Sequence, residues 1–274
     1  MPSGTSSNSF LTNDGVRLAY TDTGSGPPVV LVAGFTAPAT SWSLQVPALR
    51  DAGHRVIGFD RRSHGGSESP FHGQRMARHG ADLHQLLDHL GLSDVVLIGQ
   101  SMGGNALWAY TDLFGTDRVR AYVCVDQTPK MVSTGDWPHG FYGLTPDNVG
   151  TFFDAGIPDT GHGPDPAVVQ AGVARMLAAA TGPLQWADPA APQTRPLLQD
   201  HAAADWRDVI ARLDVPALFV AGRLSQFWPC EHATAAAALN EKVQAVILED
   251  AGHSTNTDQA EAFNAAVLDF LRAC

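Results

Sequence analysis

The sequence predicts a mostly parallel α/β sheet with helices on both faces and an inserted helical cap. Three observations carry that prediction. Short apolar, β-branched runs alternate with stretches of helical periodicity, the pattern of strand–helix–strand units. Polar or small residues, namely Gly34, Asp60, Ser101, Asp126, Gly222 and His253, stand just after those apolar runs. And the alternation breaks once, between Gln127 and Asp205, where ten of the 18 prolines fall among many glycines and clustered aromatics.

In chain order, Leu18 to Thr21 follows the turn signal Asn13-Asp14-Gly15 and reads as the first strand. The loop Thr23 to Pro28 leads into Val29 to Ala33, a continuous apolar run expected to be buried on both faces. Ser41 to Ala52 reads as a short helix with Ser41 as its N-cap. Arg55 to Phe59 is a strand, ended by the polar loop Asp60-Arg61-Arg62-Ser63-His64-Gly65. Gly73 to Leu90 is amphipathic and closes at Gly91. Asp94 to Ile98 is a strand, Asn105 to Phe114 a helix, and Val119 to Val125 a strand ending at Asp126. One helix, Pro166 to Ala180, is expected inside the irregular segment. Then Ala217 to Ala221, Cys230 to Leu239, Val243 to Leu248 and Asp258 to Leu271 resume the alternation. The domain reading is therefore a core of residues 1–126 and 206–274 with a cap at residues 127–205.

Composition narrows the function classes. A chain of 274 residues with 44% hydrophobic and 16% charged content is globular, one large domain or one domain with an insertion. The net charge of −11 argues against nucleic acid or an anionic membrane as partner. Met1 to Ser9 is Ser/Gly/Thr-rich, with neither the basic nor the apolar part of a signal peptide. No run of about 20 apolar residues is present to span a membrane. The cysteines Cys124, Cys230 and Cys274 have no metal-binding spacing, and Cys124 reads as core. A cytoplasmic protein fits these features, with no metal or organic cofactor implied. The oligomeric state is not legible.

The chemistry centres on Gly99-Gln100-Ser101-Met102-Gly103. A G-x-S-x-G pattern between a strand and a helix makes a very tight turn whose middle residue is strained, so residues two positions away must be small. The turn lifts the Ser101 hydroxyl off the sheet edge and puts the Met102 N–H at a helix N-terminus, where an oxyanion is favoured. A serine needs a base and the base an orienting acid. His253, in Gly252-His253 after the last strand, is the base candidate. The loop after Ala217–Ala221 holds Ser225 and no carboxylate, so the acid candidate is Asp126, with Asp250 a weaker one. The second oxyanion donor is expected at the Phe35 N–H. His64 as a second catalytic histidine is a minor reading; a structural loop with buried ion pairs is preferred for residues 60–65. In the cap, Trp137, Phe141, Tyr142, Phe152, Phe153, Trp186 and Trp206 are candidates to line an apolar pocket, two or three of them touching substrate.

Ala33-Gly34-Phe35 with Ser41-Trp42, Asp60-Arg61-Arg62-Ser63-His64-Gly65, Gly99-Gln100-Ser101-Met102-Gly103-Gly104 and Gly252-His253 together resemble the α/β-hydrolase-fold superfamily, over nearly all the chain after the first ten residues. The Asp-Arg-Arg loop is similar to that of bacterial non-haem haloperoxidase-like esterases. Three positions depart from the pattern: Ala33 replaces a histidine, Ser63 a glycine, and Ser225 the usual acid after strand seven. The resemblance implies an eight-stranded sheet. It also implies that members lacking that acid take it from the end of strand six, here Asp126.

The expected function is a serine hydrolase, an esterase or lactonase acting on a small apolar ester, lactone or ring carbonyl compound through an acyl-enzyme. Alternatives on the same scaffold are a cofactor-independent dioxygenase, as the resemblance implies for some relatives, and a C–C bond hydrolase. A ligand receptor retaining the triad is the non-enzymatic alternative.

Overall fold

The computed structural model describes residues 8–274. Residues 1–7, and with them most of the segment read as lacking a signal peptide, lie outside the described residues. Eight strands form one sheet in the order β1-β2-β4-β3-β5-β6-β7-β8. They are β1 (Asn8–Leu11), β2 (Arg17–Thr23), β3 (Pro28–Val32), β4 (Arg55–Phe59), β5 (Val95–Gln100), β6 (Val119–Val125), β7 (Ala217–Gly222) and β8 (Val243–Leu248). Pairings β1–β2 and β2–β4 are antiparallel, and the other five are parallel. Strand β1 escapes the sequence reading because four residues, only Phe10 of them buried, are too few to establish a period.

The parallel strands are hidden on both sides, and their alternation sorts side chains between two cores. Val30, Val32, Leu97, Tyr122 and Phe219 point to one face. There they meet α2 (Met76–His89), α3 (Met102–Phe114), α6 (Arg207–Ala211) and α7 (Glu231–Ala237). Val29, Leu31, Ile98, Val123 and Val220 point to the other. They meet α1 (Val46–Asp51) and α9 (Ala260–Ala273), with the short α8 (Thr255–Asp258) leading into α9. Each such side chain contributes about 1.5–3 kcal/mol on burial, so a charge at Leu97 or Ile98 would unfold the sheet.

Two helix readings need correction. Ser41 caps nothing: residues Ala39–Trp42 form one 3₁₀ turn and α1 starts at Val46, with Pro47 in its first turn. The polar Ser43 instead ties down the β6–β7 connection, its hydroxyl donating to the Met176 carbonyl at 2.7 Å. Helix α3 begins at Met102, directly after Ser101, rather than at Asn105. The connection between β6 and β7 carries α4 (Pro166–Ala179) as expected, and also α5 (Arg195–Ala203). Leu197, Leu198 and Ala202 of α5 join Met131, Phe141, Leu144 and Phe153 in a third apolar cluster, against Met76, Met102 and Trp228. No helix among the described residues is long and apolar enough to cross a membrane.

Candidate active site

The sheet order reverses at β3, whose neighbours are β4 and β5, so the loops after β3 and β5 lie side by side at the carboxyl edge. Ser101 sits there with φ 53° and ψ −132°, a left-handed conformation strained for any residue with a side chain. Its neighbours must be glycine for steric reasons. A Cβ on Gly103 would stand 2.2 Å from the Val32 carbonyl oxygen, and one on Gly99 2.6 Å from the Gly104 nitrogen. The turn is held by Ser101 N–H donating to the Val125 carbonyl (2.9 Å) and Gly104 N–H to the Ser101 carbonyl (2.7 Å).

Asp126 directly follows β6 and is fully buried, also with positive φ. Its Oδ2 accepts from His253 Nδ1 at 2.7 Å and from the Ser225 hydroxyl at 2.6 Å. Its Oδ1 accepts the Gly222 N–H at 2.9 Å. Burial pushes the Asp126 carboxyl up, but His232 and His253 lower it further, to about 2. An ionised carboxylate only accepts, so the proton of this bond lies on His253 Nδ1, which leaves Nε2 as the nitrogen that could take up another. His232 Nε2 stands 3.6 Å from Oδ1, just beyond hydrogen-bond length. Asp250 makes no contact with the imidazole; its carbonyl accepts from Gln259.

The loop carrying His253 is fixed from three sides. Gly252 N–H donates to Asp258 Oδ2 (2.9 Å), His253 N–H to Gln226 Oε1 (2.7 Å), and Gln100 Nε2 to the His253 carbonyl (3.4 Å). The last bond ties the residue before Ser101 to His253. A Cβ on Gly252 would meet Gln226 Oε1 at 2.7 Å and Pro164 at 2.8 Å, so the close approach requires glycine. The rings of Phe227 and Trp228 pack on the imidazole, with centroids at 4.4 and 5.3 Å. The Ser101 hydroxyl makes no hydrogen bond among the described residues. In unliganded sites such bonds are commonly long and tighten with substrate.

Phe35 and Met102 flank Ser101, and neither N–H donates to a backbone acceptor among the described residues. The loop carrying Phe35 is clamped from below by Arg61, whose Nε and Nη2 donate to the carbonyls of Ala33 (3.3 Å) and Gly34 (2.8 Å). Burial lowers the Arg61 guanidinium to about 9, against the attraction of Asp60. The buried ion pair expected in this loop belongs to Arg62, which holds Asp82 through two bonds of 2.6 and 2.8 Å. His64 is buried under the loop with its Nε2 on Arg61 (2.9 Å) and Nδ1 on the Arg62 carbonyl (2.8 Å), which leaves no nitrogen for catalysis.

A cavity of about 30 Å³ opens at Ser101, lined by Phe35, Met102, Phe141, Phe153, Leu198 and His201 among others. Of the aromatics proposed to line it, Phe141 and Phe153 do; the other five do not. Trp137 is turned inward, its Nε1 on the Thr128 hydroxyl (3.0 Å) and its ring beneath Arg207. Tyr142 stacks on His162 at 3.8 Å, and Phe152 lies edge-on behind Phe141. Trp186 is 52% exposed. Trp206 packs between two cores. His201 is a residue that sequence reasoning missed. Its Nδ1 lies 2.5 Å from the Asn105 amide, and burial, followed by the charges of Arg61 and His253, lowers it to about 3, so it enters the cavity neutral.

The family model for the alpha/beta hydrolase fold matches residues 27–162. The chain is 30% identical to a non-heme haloperoxidase of Rhodococcus erythropolis, across 96% of this chain and 99% of that one. It superposes on the crystal structure of a bromoperoxidase from Bacillus anthracis with a TM-score of 0.80, at 28% identity, covering 97% of this chain and 100% of that one. An esterase from Exiguobacterium antarcticum gives the same TM-score and the same coverage at 22% identity, a likeness of fold. Other similar proteins are named as enol-lactonase and epoxide hydrolase.

Proposed function

This chain belongs to the α/β-hydrolase family, in its haloperoxidase and esterase branch, and from that premise we propose that it is a serine hydrolase of esterase or lactonase type. The observation that carries the reading is the 2.7 Å hydrogen bond between His253 Nδ1 and Asp126 Oδ2, at the same sheet edge as the strained Ser101. Ser101 Oγ attacks the substrate carbonyl while His253 Nε2 takes its proton. Asp126 keeps the imidazole in the working tautomer and stabilises the imidazolium. The Phe35 and Met102 N–H groups receive the oxyanion. The imidazolium then protonates the leaving group, and water, activated by the same base, releases the acyl group.

The cavity beside Ser101 has room for about two water-sized groups and apolar walls. It therefore favours a small acyl group, with the rest of the substrate outside. We read residues 127–205 as a cap, since Phe141, Phe153 and Leu198 supply the outer wall.

A cofactor-independent oxygenase is the second reading, and it would need only the His253–Asp126 pair, which is formed at 2.7 Å. Such a pair deprotonates an acidic ring substrate, whose anion then reacts with O₂. A panel of short-chain esters, lactones and hydroxyquinolone-like rings, assayed with and without O₂, separates the two. Hydrolysis lost in Ser101→Ala and in His253→Ala supports the hydrolase. O₂ consumption that survives Ser101→Ala but not His253→Ala would replace it with the oxygenase.

A further inference from the structure

Arg61 is a buried cation to which the mechanism above gives no task. Its hydrogen-bond partners are four neutral acceptors: the Ala33 carbonyl (3.3 Å), the Gly34 carbonyl (2.8 Å), His64 Nε2 (2.9 Å) and His79 Nδ1 (3.0 Å). The adjacent carboxylate, Asp60, is committed elsewhere. Its oxygens accept the N–H groups of Ala39 (2.6 Å) and Gly66 (2.9 Å). Both imidazoles are neutral, because burial and then the Arg61 charge hold them well below the ordinary histidine range. A desolvated cation without a bonded anion destabilises a fold, and such groups concentrate at functional sites.

The Gly34 carbonyl and the Phe35 N–H belong to one peptide unit. A cation bonded at the carbonyl oxygen draws electron density along that unit and makes the N–H a stronger donor. The guanidinium also leaves net positive charge behind the point where an oxyanion would form, in a region of low dielectric. We infer that Arg61 is a positioning residue of the oxyanion hole, acting through the Gly34–Phe35 peptide; this rests on the hydrolase reading above. The other donor supplies an internal contrast. Met102 N–H shares its peptide with the Ser101 carbonyl, which accepts from the uncharged Gly104 N–H at 2.7 Å.

The test compares Arg61→Met and Arg61→Lys in the full chain, with p-nitrophenyl acetate as substrate and phenylboronic acid as probe. Ser101 Oγ adds to boron to give a tetrahedral anion, its proton passing to His253. Arg61→Met is expected to lower kcat about 100-fold, the scale of losing an oxyanion donor, with KM within about threefold. Phenylboronic acid inhibition weakens by a similar factor, and Arg61→Lys recovers about tenfold of the loss because the charge returns. A folded Arg61→Met with kcat within threefold of the parent, or Lys and Met variants equally impaired, would overturn the inference. If Arg61→Met does not fold, amide-proton shifts of the parent decide. On adding phenylboronic acid the Phe35 proton should move downfield further than the Met102 proton, and an equal or smaller movement overturns the inference. Fluorophosphonate labelling of the parent separates the two claims. Without label at Ser101 the hydrolase reading fails and takes the inference with it. With Ser101 labelled and Arg61→Met unimpaired, the inference alone fails.

Discussion

The Ser225 hydroxyl donates to Asp126 Oδ2 at 2.6 Å, on the oxygen that also accepts His253 Nδ1 at 2.7 Å. Ser225, on the loop after β7, thus holds the carboxylate that follows β6. Two donors on one oxygen, with the Gly222 N–H on the other, fix the carboxylate against rotation. Asp126→Asn should lower kcat about 10⁴-fold, since the amide would stabilise the wrong imidazole tautomer. Steady-state kinetics with folded protein check this, and a loss of less than tenfold would move the acid elsewhere.

The same contact predicts that the acid can be transplanted. Ser225→Asp alone places a second carboxylate within about 3 Å of Asp126, where two negative charges cannot both persist, and activity falls. Combined with Asp126→Asn, the new carboxylate meets an amide instead. The double variant should then exceed Asp126→Asn alone by at least about tenfold in kcat. Equal activity of the two would show that strand seven cannot reach the base.

Asp126 also sets a pH dependence of stability. Its folded value, about 2, lies below the ordinary carboxyl value of ~3.9. The group therefore contributes fully above about pH 4, and the contribution is lost as pH falls towards 2. Urea unfolding at pH 2–6 should show this loss in the parent and a shallower one in Asp126→Asn. Parallel curves would mean that the carboxylate is not held ionised.

Gly103→Ala would drive a Cβ to 2.2 Å from the Val32 carbonyl oxygen, a backbone atom that cannot step aside. A destabilisation of about 3 kcal/mol, with activity lost, is expected in chemical denaturation. A variant of parental stability would contradict the tight packing of α3 on β3.

The aromatics between β6 and β7 divide by what they touch. Trp186→Ala, at a half-exposed ring, should change kcat/KM less than twofold. Phe153→Ala, on the cavity wall and buried, should widen acyl-chain selectivity towards longer esters and cost about 3–5 kcal/mol of stability. Competition assays over a chain-length series measure the first effect and thermal melting the second.

Much of the fold is legible because the parallel strands are built on apolar runs, as in Val29–Val32 and Val95–Ile98, and because the chemistry follows them directly. Ser101, Asp126 and His253 are visible as strand-end residues. What is not legible depends on contacts between distant parts of the chain. Asp126 meets Ser225 only because β6 and β7 pair in register, Cys124 opposite Phe219. His201 rides on α5, whose Pro196 and polar residues blur its period, so nothing local marks it. Arg61 and Arg62 look alike in sequence, yet one holds a carboxylate and the other two peptide carbonyls. Trp137 and Trp186 are read alike for the same reason: composition does not say which way a ring turns.

The central claim is a covalent intermediate on Ser101 formed with His253 as base. Rapid acid quench of the protein during turnover of p-nitrophenyl acetate, followed by peptide mass mapping, tests it most directly. An acetyl group is expected on the peptide containing Ser101, absent in Ser101→Ala and in His253→Ala. Turnover at parental rate without that adduct, or an adduct on another residue, would contradict it.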